Sequence, residues 1–201
     1  MSITAKDVKA LRDATGAGMM DAKKALTECD GDMEAATQML REKGLAKAAA
    51  RSDRENDEGT IALAVNGNTA AFVQIKTETD FSAKNEAVTG LANSIAEAVL
   101  VDGMSAVEAH ASALEDLQVT IKENIALGSV ERIEAAEGNI LDTYLHRQDG
   151  RGVNAVIVEA AGVGQDELHQ VALHIAFAKP TYLSSDEVPA DEIEKERNSL
   201  L

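Results

Sequence analysis

The stretch "GTIALAVNGNTAAFVQIKTETDFSAKNEAVTGLANSIAEAV", residues 59–99, decides the fold. Its first half alternates. Ile61, Leu63 and Val65 are spaced by alanines, and Ala71, Val73 and Ile75 are spaced by Phe72, Gln74 and Lys76. A period of two is the mark of a strand with two unlike faces, and "NGN" (66–68) between the runs is a hairpin signal. The second half changes period. Val88, Leu91, Ile95 and Val99 recur at helical spacing. A hairpin feeding directly into a helix predicts an α+β fold and not a helical bundle. At the corner between the two halves stands "TETDFSAKNEA" (77–87), with Asp80 beside Phe81. The chain has only three Phe, two Tyr and no Trp, so an aromatic at a corner needs a reason.

Further on, the same signals repeat. Possible capping boxes at Ser105–Glu108 and Ser112–Glu115 open helical runs, and Leu114, Leu117, Ile121 and Ile125 share one apolar face. "NILDTYLH" (139–146) and "VNAVIVEA" (153–160) read as strands joined by "RQDGRG". A helix with Leu168, Val171, Ala172 and Ile175 follows, and Pro180 closes it. Upstream, residues 1–50 read as three short helices. Thr4 caps the first, with Asp7 three residues on and Ile3 and Val8 as a hydrophobic staple. "TGAG" (15–18) breaks it, Asp32 caps the third, and Gly44 is expected to end that helix. The charged stretch 51–58 reads as a linker, 59–183 as the α+β core, and 184–201 as a charged helical tail that stops at Leu201 without a cap.

Composition limits function. A formal net charge of −16 over 201 residues argues against nucleic acid or an anionic membrane as partner. No apolar run is long enough to span a bilayer, no signal peptide opens the chain, and the lone Cys29 has no internal partner, so a cytoplasmic protein is expected. "GAGMMD" (16–21) and "GVGQDE" (162–167) begin like dinucleotide loops but lack the third glycine. His169 and His174 lie five apart on one helix and point about 140° apart, which is the wrong spacing for a shared metal. No catalytic pattern stands out, so neither enzymatic chemistry, a cofactor nor a metal is expected.

Two readings of Phe81 stand at this level. It is core, or it is an exposed anchor for a partner. Either Ser82 or Asp80 would cap the following helix, and neither frame completes a staple, since Glu86 or Thr79 falls where an apolar side chain is needed.

"LRDATGAGMMDAKKAL" (11–26) resembles the signature of the bacterial elongation factor Ts family, and "TETDFSAKNEA" resembles its second signature. "ENI" (123–125), "YLH" (144–146) with a glycine-bearing turn, and "ALHIAFAKPTYL" (172–183) continue in that family's order. The resemblance implies a three-helix, ubiquitin-associated-like module followed by an antiparallel-sheet core packed with helices. It implies a guanine nucleotide exchange factor for elongation factor Tu, which binds the GDP form, displaces magnesium and releases GDP so that GTP can enter. A protein-binding module without exchange activity is the alternative. It implies that Thr79, Asp80, Phe81 and Ser82 act at the partner's magnesium site. It further implies that Arg12, Met19, Met20, Lys23, Ile121, His146 and His174 contact the partner. Lys76, Thr77, Ser82 and Lys122 depart from the family's usual residues, and longer members continue beyond Leu201, as if this were a short or truncated form.

Overall fold

A computed structural model of the chain describes residues 3–199. Three helices come first: α1 (Ala5–Thr15), α2 (Met19–Glu28) and α3 (Met33–Ala49). The expected capping box forms at α1, where the Thr4 amide donates to Asp7 at 2.9 Å and the Asp7 amide donates back to the Thr4 hydroxyl at 3.3 Å. Gly16 ends α1 in the left-handed conformation, and Asp32 caps α3 by accepting from the Glu34 and Ala35 amides. Val8, Leu11, Ala22, Ala25, Leu26, Ala36 and Leu40 close a small core of their own, with Ile3 and Cys29 packed at its margin.

Gly44 does not end α3, contrary to the expectation. The helix runs through it for five more residues to Ala49. The reason is close approach: a Cβ on Gly44 would lie 2.6 Å from Val119 Cγ1 of helix α6 (Ala111–Ile121). Here glycine serves helix–helix contact, not chain reversal. Arg41 of α3 reinforces the contact, reaching the Ser112 hydroxyl at 2.8 Å and Asp116 at 3.2 Å. Segment 51–58 then leads to the sheet.

Five strands form one antiparallel sheet: β1 (Glu58–Asn66), β2 (Thr69–Thr77), β3 (Ala126–Glu134), β4 (Ile140–Gln148) and β5 (Arg151–Ala160), in the order β3-β2-β1-β5-β4. β1 and β2 pair in register from Glu58↔Thr77 to Asn66↔Thr69, so the turn is two residues, Gly67 and Asn68, with Gly67 at φ +57°. β3 is a strand the sequence reading does not contain. It pairs with β2 on the outer side, with a register shift between Val73 and Ile75, and Gly128 is packed against Gln74. The burial of β1 also differs from what its bulky residues suggest. Thr60 and Ala62 are the buried positions, while Ile61 and Leu63 are only half-buried. Small side chains there let helix α5 (Glu86–Asp102) sit close on β1 and β2, and Val73, Ile75, Val88, Ile95, Val99 and Ile125 fill the main core between them.

Between α5 and α6 lies a 3₁₀ helix, Met104–His110. Neither capping box expected in this region forms. The Ser105 hydroxyl donates to the Asp102 carbonyl, and the Ser112 hydroxyl is taken by Arg41. Leu114, Leu117 and Ile121 of α6 do face the main core, but Ile125 joins them from the loop, because α6 stops at Lys122 in the left-handed conformation (φ +67°). Helix α7 (Gln165–Ala178) covers β4 and β5 through Ala172 and Ala176, which meet Val156. A last helix, α8 (Ala190–Ser199), follows, and the expected uncapped end at Leu201 lies outside the described residues.

Candidate functional site

The corner after β2 is a single helical turn, α4 (Asp80–Ala83). Its cap is neither Ser82 nor Asp80 but Thr79, whose hydroxyl accepts from the Ser82 amide at 3.3 Å. A second cap, Asn85, then opens α5 by accepting from the Ala87 amide at 2.9 Å. With two caps in succession, neither staple frame applies. The turn is sided. Ser82 and Ala83 are buried beneath it, while Phe81 is 78% exposed. The core reading of Phe81 is therefore excluded.

Lys84 holds the outer side. Its ammonium donates to Asp80 at 2.8 Å and lies 4.9 Å from the centroid of the Phe81 ring, a cation–π contact. That hydrogen bond keeps the Asp80 carboxyl below the usual aspartate range. So the corner presents an ionised acid next to a bare ring, both held by one lysine.

The inner side is tied to the loop between α6 and β3. One oxygen of Glu123 accepts from the Glu78 and Thr79 amides at 3.2 and 3.3 Å, and the other accepts from the Thr79 hydroxyl at 2.9 Å. Glu78 reciprocates by accepting from the Asn124 amide at 2.6 Å. The Asn124 side chain donates to the Ser52 and Arg54 carbonyls at 3.1 and 2.6 Å. In the sequence Glu123 and Asn124 stand out only as part of the family match "ENI", because partners 44 to 72 residues away carry no local signal.

The remaining candidates fall into separate places. Met19 and Met20 open α2 and are 46% and 75% exposed, which removes them from the module's core, and Lys23 is exposed one turn on. Arg12 sits on α1 and pairs with Asp13. Ile121 is half-buried against the main core, so packing accounts for it first. His146 is exposed near the end of β4, with the Tyr144 hydroxyl 3.3 Å from its Nδ1. His174 is exposed on α7, whereas His169 is engaged by Asp142 at 2.9 Å. A cleft beside His146 is lined by Tyr144, Arg151, Asn154, Phe177 and Lys179. Phe177 is 88% exposed and was not singled out from the sequence.

Among the described residues no three His, Cys, Asp or Glu side chains converge as metal ligands, and no helix is long and apolar enough to cross a membrane. Comparison with known proteins then gives the class. Residues 78–201 match the family model described as Elongation factor TS. The chain is 44% identical over 207 residues to the elongation factor Ts of Dinoroseobacter shibae, covering 98% of this chain and 70% of that one. It is 45% identical to that of Ruegeria pomeroyi (98% and 70%) and 47% identical to that of Cutibacterium acnes (98% and 75%). An α+β chain with these relatives is a translation elongation factor, a component of protein biosynthesis. In particular, it belongs to the elongation factor Ts family.

Proposed function

We propose that this chain is a guanine nucleotide exchange factor for elongation factor Tu, acting in the cytoplasm by binding and not by bond-making chemistry. The observation that carries the reading is Phe81, a bare aromatic fixed on a single turn within the family's second signature. An exposed ring of this kind has its largest apolar contact still to make, and aromatic anchors dominate interface energetics.

On this reading Phe81 enters the nucleotide domain of Tu next to its magnesium site, with Thr79, Asp80 and Ser82 in the same turn. Displacing the metal leaves the phosphates of GDP poorly neutralised, and the nucleotide leaves. Linkage makes the effect reciprocal: a factor that weakens GDP binding is itself bound more weakly by Tu-GDP, to the same degree. Incoming GTP can therefore release the factor. Arg12, Met19, Met20 and Lys23 supply a second contact from the helical module, and His146 and His174 a third from the sheet core. Ile121 acts mainly as support. The factor itself needs neither a cofactor nor a metal for this work.

The test is release of a fluorescent GDP analogue from Tu in the presence of excess unlabelled nucleotide. Acceleration that rises and saturates with the concentration of this chain is expected. Binding to Tu with no acceleration would leave a binding module without exchange activity, and this proposal would fail.

A further inference from the structure

A single helical turn does not hold itself. Helix nucleation is unfavourable, and four residues close too few hydrogen bonds to fix six or more dihedrals. Yet Phe81 must meet its partner in one orientation for its burial to be converted into displacement of a metal. Something outside the turn has to set that orientation. Ser82 and Ala83 anchor its underside. They do not fix its start, and the start is where the strand ends and the chain bends.

The start is held by Glu123. Its carboxylate takes three hydrogen bonds from Glu78 and Thr79, including the hydroxyl of the capping residue. Because that hydroxyl donates to Glu123, its lone pair is turned toward the Ser82 amide, 3.3 Å away. Glu123 thus orients the cap itself. The next residue, Asn124, grips the Ser52 and Arg54 carbonyls and gives its own amide to Glu78. Segment 51–54 directly follows α3, the helix that carries the N-terminal module. One dipeptide therefore holds the aromatic corner with one side chain and the foot of the helical module with the other.

We infer that Glu123, with Asn124, is a positioning residue for exchange: it fixes Thr79 and hence Phe81, and it couples that corner to the module bearing Met19 and Met20. Two surfaces that engage one partner at once gain from being held in register, because the second contact is then made without a further ordering cost. Glu123 touches neither nucleotide nor metal on this reading. The inference rests on the exchange function proposed above, and its test separates the two.

Three chains are compared: the parent, Glu123→Ala and Glu123→Gln. Glutamine keeps an oxygen for the two amides, but it loses the charge and its NH₂ can only donate to the Thr79 hydroxyl oxygen, so it should preserve the clamp in part. Two readouts are taken. Hydrogen exchange at the Glu78, Thr79 and Ser82 amides is measured on the free chain, without Tu. GDP release from Tu is measured over a range of factor concentrations. For Glu123→Ala, the three amides should exchange faster while the β1 and β2 amides do not, and the maximal release rate should fall about tenfold, as expected for losing charge-assisted hydrogen bonds. The concentration giving half-maximal rate should change less than about threefold, since the helical module still binds. Glu123→Gln should fall between the parent and Glu123→Ala in both readouts. The inference is overturned if Glu123→Ala leaves those amides as protected as in the parent, or if it loosens them and release stays within about twofold of the parent. If the parent itself does not release GDP, the exchange reading fails, and amide protection alone still decides whether Glu123 fixes the corner. Should Glu123→Ala not fold, Glu123→Asp, one methylene too short to reach, carries the same comparison.

Discussion

Replacing Phe81 by alanine should separate stability from function more cleanly than any other change in the chain. The ring is 78% exposed, so about a fifth of it is buried in the free protein. A phenylalanine side chain offers about 200 Å², so this burial is worth about 1 kcal/mol at 25 cal/mol per Å². The contact with Lys84 adds about 0.5 kcal/mol at an exposed site. The expected loss is thus about 1.5 kcal/mol, a fall of about 3–6 °C in melting temperature for a chain of this size. A core phenylalanine would cost about 3–5 kcal/mol. The exposed remainder, about 160 Å², would contribute about 4 kcal/mol if a partner buried it, which is close to three decades in equilibrium or rate. Calorimetry on the free chain and GDP release from Tu therefore report very different quantities. A melting temperature lowered by less than about 6 °C together with release slowed at least a hundredfold is the expected pair. Release within about threefold of the parent would refute the anchor, because no buried ring of this size is lost so cheaply.

Lys122 ends α6 at φ +67°, a conformation that glycine adopts without penalty. Lys122→Gly should stabilise the chain by about 1 kcal/mol and raise its melting temperature by about 2–4 °C, and a fall would refute the strain argument. Asp80 should titrate below the ordinary aspartate value of 3.8, with the hydrogen bond from Lys84 as the main cause, and Lys84→Met should move it upward when followed by carboxyl carbon NMR. Because the folded value is the lower one, the stability this contact contributes is present above the unfolded pKa and is lost only as pH falls through the folded value. The corner's charge is therefore constant at neutral pH, and Asp80 titrating at or above 3.8 in the parent chain would count against the contact.

Much of the fold lay open in the sequence because its signals were local. The β1–β2 hairpin follows from alternation and a glycine at a turn, and the capping box at Thr4 from two side chains three residues apart. What escaped was set by distant neighbours. Gly44 looks the same whether a helix stops there or a second helix presses on it, and only Val119, 75 residues later in the chain, decides between them. β3 carries Gly128 and Ser129 in its middle, a poor strand by propensity, and it exists because β2 offers an edge to pair with.

The site divides along the same line. That Phe81 lacked a staple partner was legible, but whether it was buried was not, since burial depends on what packs under the turn. Ser82 and Ala83 take that place, so the ring has nowhere inward to go. This also bears on Ser82, one of the departures from the family's usual residues. It is buried below the turn, away from the exposed face, so in the free chain its side chain helps to seat the turn. Phe177 escaped for the opposite reason. It lies in an apolar run that reads as core, but α7 is buried through Leu168, Ala172 and Ala176, four residues apart each time. The next residue lies about 100° round the helix, which carries Phe177 out over the cleft beside His146. In both places small side chains take the inner face beside the ring, Ser82 and Ala83 at one and Ala172 and Ala176 at the other, so each ring is turned outward and is available to a partner.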